Sequence, residues 1–208
     1  MFILPHLLWG PRTPYYVGKQ RCAEYWWTTM LFINNIYPNM TDLCMKWTWY
    51  LANDMQFFIV SPLFIYAFFR KPLVGLGLLS LLLTICMGAT GFLVVYQDFT
   101  LPLYDAPWFP VTDLIYRAPF ARVPPYLIGL LTGFILFKLK ANKATFPRAV
   151  FYLGWIITTG VIMSILFGTN VNKPMGIVGS ALYDSLSHLS WGISLSWVVL
   201  ACRFGGSG

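Results

Sequence analysis

Five stretches of nearly unbroken apolar residues constrain this chain more than anything else in it: 47–69, 73–96, 123–137, 149–167 and 181–201. An α-helix rising ~1.5 Å per residue needs ~20 such residues to cross a hydrocarbon layer ~30 Å thick, and four of the stretches reach that length. The third is shorter, and Pro124-Pro125 near its start predicts a buried or tilted entry, because proline removes a backbone donor. Composition points the same way: 58% of the 208 residues are hydrophobic and 10% are charged, against about 25% charged in a soluble domain. Backbone polar groups in lipid must be satisfied within the chain, so apolar runs of this length are expected to be helical. The expected fold is an all-α multi-pass transmembrane bundle: one membrane domain over 1–208, with a loop at 10–46.

The opening MFILPHLLW resembles the tail of a further span, and the closing RFGGSG a linker or the beginning of a loop toward more spans. The expectation is a central segment of a larger protein. No basic region followed by a small-residue cleavage site comes after Met1, so no signal peptide is predicted.

With the N-terminal side of the first stretch placed outside, the 14 Lys and Arg residues divide seven against seven. Their distribution carries more information, because orientation follows basic residues in short loops. Lys138, Lys140, Lys143 and Arg148 crowd one short connection with no acid, and Arg70-Lys71 falls on the same side, which predicts the cytoplasm there. Every acidic residue lies opposite: Glu24, Asp42, Asp54, Asp98, Asp105, Asp113 and Asp184. On that opposite side, Asn39-Met40-Thr41 is a glycosylation acceptor sequence, flanked by Cys22 and Cys44. A lumenal or extracellular compartment permits both a sugar on Asn39 and a Cys22–Cys44 disulfide. Net charge +7 then reads as anchoring at a membrane surface, with no nucleic-acid partner expected. The expected location is the endoplasmic reticulum or plasma membrane.

The first stretch has two faces. At ~100° per residue, Lys46, Trp49, Tyr50, Asn53, Asp54, Gln56, Phe57 and Ser61 share an arc roughly 160° wide, while Leu51, Met55, Phe58, Ile59 and Pro62 lie opposite. An ionisable group near mid-bilayer costs ~2.5 to 3.5 kcal/mol on insertion scales, so it is normally paired or lines a wet cavity. Two readings stand: Asn53, Asp54 and Gln56 bond neighbouring helices, or they line a polar site with Trp49 and Tyr50.

His188 follows Asp184 by one helical turn, on the same face. The pair reads either as a base with its orienting acid or as a satisfied interhelical hydrogen bond. Ser187, Ser190 and Ser194 beside it suit close helix packing. His6 stands just before Gly10-Pro11. Cys22, Cys44, His6 and His188 have no metal-ligand spacing, and the chain has no phosphate loop, nucleophile elbow or dinucleotide fingerprint, so no metal or bound cofactor is predicted.

Three segments carry a family resemblance. WTWYLANDMQFFIVSPLF resembles the Trp-Tyr-Leu-Ala-x-Asp-Met-Gln-Phe motif of the animal "nose resistant to fluoxetine" branch of the acyltransferase type 3 membrane family; bacterial relatives have Glu in the place of Asp54. CAEYWWTTMLFINNIYP and IYRAPFARVPPYLIGLLTGFIL are similar to two further segments of that branch, with Ala118 where the branch has Lys. The family's Arg-then-His motif has no counterpart in these residues.

The resemblance implies acyl transfer from acyl-CoA, as co-substrate, to a small-molecule or lipid acceptor at or across the membrane. It implies Asp54 as a supporting carboxylate, with Trp49, Tyr50, Asn53, Gln56, Arg122 and Tyr126 around the substrate. Arg122 would bind an anionic group, or else snorkel to the interface. Without the histidine motif the segment is expected to be inactive alone. The competing expectations are a lipid or small-molecule transporter on the same fold and a structural membrane subunit.

Overall fold

The computed structural model describes residues 19–38, 42–96, 117–141, 147–169 and 175–204. Their helices are α1 Lys19–Met30, α2 Trp49–Arg70, α3 Pro72–Tyr96, α4 Pro119–Ala141, α5 Arg148–Phe167 and α6 Ile177–Phe204, with a short 3-10 turn Lys46–Thr48 leading into α2. Five of them, α2 to α6, are long and apolar enough to cross a membrane. The five expected spans are therefore present, and the described residues contain no strand. Asn39, His6 and the partial N-terminal span lie outside the described residues.

Two boundaries differ usefully from expectation. The short third stretch belongs to a 23-residue helix, α4, which starts at Pro119 and carries Pro124 and Pro125 inside it. Proline at the first helical position loses no bond, and the two inner prolines leave only the carbonyls of Phe120 and Ala121 without their helical donors. The interval 10–46, expected as a loop, holds the 12-residue helix α1.

The chain divides into two compact units. The first comprises Met1–Val60 and Trp108–Pro119, the second Ser61–Pro107 and Phe120–Gly208. In the first unit, Cys22 and Cys44 are joined by a disulfide, with their Cα atoms 4.3 Å apart. Helix α1 closes in a Schellman turn: the amide of Ile33 bonds the carbonyl of Thr28 at 3.0 Å, and that of Phe32 bonds Thr29 at 3.3 Å. Phe32 takes the left-handed conformation this motif requires, at φ 56°.

In the second unit, Lys71 alone separates α2 from α3. Phe68 packs so closely on the next helix that a Cβ at Gly75 would stand 2.9 Å from the Phe68 backbone nitrogen, so glycine permits the turn. Phe68 in turn stacks on Phe134, ring centroids 5.2 Å apart. Helix α6 is the common partner of α3, α4 and α5. Ser185 donates to the carbonyl of Met87 on α3 at 3.3 Å, the Tyr183 hydroxyl donates to the carbonyl of Ile165 on α5, and Thr132 on α4 donates to Ser196 at 2.7 Å. Its buried positions are small: Ser180, Ala181, Gly192, Ser194 and Ala201. Small residues let helices approach where lipid supplies no hydrophobic drive between them.

Candidate functional site

The polar arc of α2 divides when its surroundings are seen. Asn53, Phe57 and Ser61 are buried and Gln56 and Trp49 half-buried, whereas Tyr50 and Asp54 are exposed. Asn53 accepts from Asn35 at 2.5 Å and donates to the carbonyl of Arg117 at 3.2 Å. Gln56 accepts from Asn35 at 2.9 Å, and its amide donates back to Asn35 at 2.9 Å and to the carbonyl of Phe32 at 2.8 Å. Asn34 donates to Thr48 at 2.7 Å. One guanidinium nitrogen of Arg117 donates to the carbonyls of Asn34 and Pro38, at 2.9 and 3.1 Å.

This is a network within the first unit, and both donor hydrogens of the Asn35 and Gln56 amides are engaged in it. Asn53 and Gln56 thus tie α2 to the turn after α1 and to the carbonyl of Arg117. Sequence reasoning named neither Asn35 nor Arg117 as a site residue. The Asn34-Asn35 pair inside a family-like segment was the available signal, but nothing in local periodicity connects either residue to α2.

Asp54 stands outside the network. An exposed carboxylate on a span is expensive in lipid, so its position calls for water or a polar group beside α2. Trp49 meets Tyr50 edge to face, centroids 6.4 Å apart.

The second unit brings together three of the other candidates. Gly192 of α6 lies against Pro125 of α4, where a Cβ would come within 2.9 Å of the proline Cα. With the Thr132–Ser196 bond further along, this contact sets α4 and α6 running in the same direction. The register carries Arg122, near the start of α4, to the stretch of α6 bearing Asp184 and His188, and the guanidinium acts electrostatically on both. Asp184 and His188 are half-buried, and one carboxylate oxygen of Asp184, Oδ2, is enclosed with no hydrogen-bond partner among the described residues. Tyr126, one turn beyond Arg122, is also half-buried. Among the described residues no three His, Cys, Asp or Glu side chains gather as a metal site would require.

Asp184 and His188 thus stand one turn apart on α6, half-buried and under the field of Arg122. The class so defined is a multi-pass α-helical membrane protein with an ionisable cluster inside its helices. Two curated proteins of Caenorhabditis elegans are similar to it. "Nose resistant to fluoxetine protein 6" is 29% identical over 215 aligned positions, covering 92% of this chain and 25% of that protein. "Regulator of hypoxia-inducible factor 1" is 26% identical over 189 positions, covering 80% of this chain and 37% of that protein. The chain therefore spans only a quarter to somewhat over a third of these relatives' length. The first similarity runs through nearly the whole chain and supports the nose-resistant-to-fluoxetine branch, to which the three motifs point. No protein-family model matches the chain, and no solved structure matches it with significance.

Proposed function

We propose that this chain forms the substrate-holding part of an integral membrane acyltransferase, with acyl-CoA as donor and a hydroxyl-bearing small molecule or lipid as acceptor. The observation that carries the reading is the enclosed Oδ2 of Asp184, without a hydrogen-bond partner among the described residues, one turn from His188 and within the field of Arg122. In such a transfer the acceptor oxygen attacks the thioester carbonyl, the new C–O bond forms as the C–S bond breaks, and the acceptor proton passes to the departing thiolate through a base. Asp184 and His188 are placed to hydrogen-bond the acceptor hydroxyl and steer its proton. Arg122 is placed to hold an anionic group of either substrate. Asp54, at the motif position where relatives keep an acid, serves as the supporting carboxylate on α2. The Cys22–Cys44 disulfide supports an oxidising compartment on the Trp49 side, in the endoplasmic reticulum or at the plasma membrane.

The test is acyl transfer by the full-length protein in membranes, using labelled acyl-CoA and comparing Asp184→Asn and His188→Gln with the unmodified protein. An acceptor-holding role raises KM for the acceptor in both variants at normal expression. Unchanged transfer by both variants overturns the site. Ligand uptake without any acyl-CoA consumption replaces the enzyme by a transporter.

A further inference from the structure

The turn that follows α1 carries large apolar side chains on its surface. Met30, Leu31, Ile36 and Tyr37 are 67%, 64%, 65% and 51% exposed, and Trp26 and Trp27 of α1 are exposed beside them. In water such a surface would be a liability.

The depth of the turn can be read from its bonds to α2. That helix has 22 residues, about 33 Å at 1.5 Å per residue, which matches a hydrocarbon layer of ~30 Å and sets Trp49 near one boundary. Trp47 and Tyr50 there are both exposed, as aromatic residues at an interface are. The turn is bonded to Asn53 and Gln56, which lie four and seven residues further along, or about 6 to 10 Å beyond Trp49. Its apolar side chains are thus level with the headgroup boundary and the first part of the acyl chains. Leu51, Met55, Phe58 and Ile59, on another face of α2, are exposed as well.

Non-helical backbone at that depth is tolerated only when its polar groups are satisfied by protein. Here they are. The amides of Leu31, Phe32, Ile33, Ile36 and Tyr37 bond carbonyls of Trp27, Thr29, Thr28 and Ile33. The carbonyl of Phe32 takes the Gln56 amide, and those of Asn34 and Pro38 take Arg117. This gives the polar groups of α2 a purpose: they satisfy a turn that would otherwise be too polar to enter lipid.

We infer that residues 30–37 form an interfacial wedge, seated about 5 to 10 Å into the leaflet on the Trp49 side and contacting lipid directly through Leu31, Ile36 and Tyr37. Its partner is the lipid itself.

The test places a nitroxide label at Ile36→Cys, and separately at Leu31→Cys, in a Cys86→Ala, Cys202→Ala background. The protein is reconstituted in phosphatidylcholine vesicles, and collision with oxygen is compared with collision with a water-soluble nickel chelate. At both positions the oxygen-to-chelate ratio should match that of a label at Met55, at the same depth on α2, and exceed that of one at Ala23 severalfold. A ratio like that at Ala23 shows the turn in water. Protection from both reagents shows it covered by protein. Either result overturns the inference, and neither depends on acyl transfer.

Discussion

Asn35 and Gln56 exchange two hydrogen bonds, each of 2.9 Å, across 21 residues of sequence. The pairing joins the turn after α1 to the second turn of a membrane span, and its members also bond Asn53 and the carbonyl of Phe32. Removing one member strands the others. Gln56→Leu is expected to destabilise the first unit by about 1 to 3 kcal/mol, the cost of leaving enclosed amide and carbonyl groups unmade. Asp54→Asn, on the exposed side, should change stability by less than about 0.5 kcal/mol. Thermal unfolding in detergent compares the two; equal effects would show that the network holds nothing.

The contact between α5 and α6 is equally specific. A Cβ on Gly154 would stand 2.0 Å from the Trp197 ring, and an indole between two helices has little room to move aside. Gly154→Ala should therefore cost about 1 to 3 kcal/mol by overpacking. Gly160→Ala, where a Cβ meets nothing within 4 Å, should be neutral or stabilising through helix propensity. The same unfolding measurement separates them, and an unaffected Gly154→Ala protein would rule out this packing.

The spans were legible because length and apolarity are local properties that lipid enforces residue by residue. The helical wheel also found Asn53, Phe57 and Ser61 on one face, and all three are buried. It placed Asp54 and Tyr50 in the same arc, yet both are exposed. A wheel gives direction without saying what fills it. The partners of Asn53 are Asn35 and Arg117, the latter 64 residues away in sequence, beyond the reach of any periodicity. Likewise the spacing of Asp184 and His188 was visible on one helix, whereas the approach of Arg122 depends on how α4 packs against α6.

Cys22 and Cys44 close a loop of 22-residue separation, for which chain entropy gives about 3 kcal/mol of stabilisation. The double variant Cys22→Ser, Cys44→Ser should lose an amount of that order, and thiol alkylation of the denatured, unreduced protein should leave these two cysteines unlabelled while Cys86 and Cys202 react. An oxidising compartment is also where Asn39 would be glycosylated. A shift on deglycosylation that disappears in Asn39→Gln should accompany the disulfide in animal-cell membranes; no shift would count against the proposed orientation.

Phe32 offers the sharpest contrast of conformation with side chain. It holds the left-handed position of the Schellman turn, φ 56°, where glycine is usual and a side chain costs roughly 1 to 2 kcal/mol. Phe32→Ala keeps that backbone cost and loses the ring, so it should be less stable than the unmodified protein. Phe32→Gly loses the same ring but releases the strain, and should exceed Phe32→Ala by about 1 kcal/mol. The comparison cancels the lost lipid and protein contacts of the ring, leaving the backbone alone. If Phe32→Gly proved no more stable than Phe32→Ala, the turn would not be held in this conformation. The carbonyl of Phe32, bonded to Gln56, would then need another donor at the same depth in the membrane.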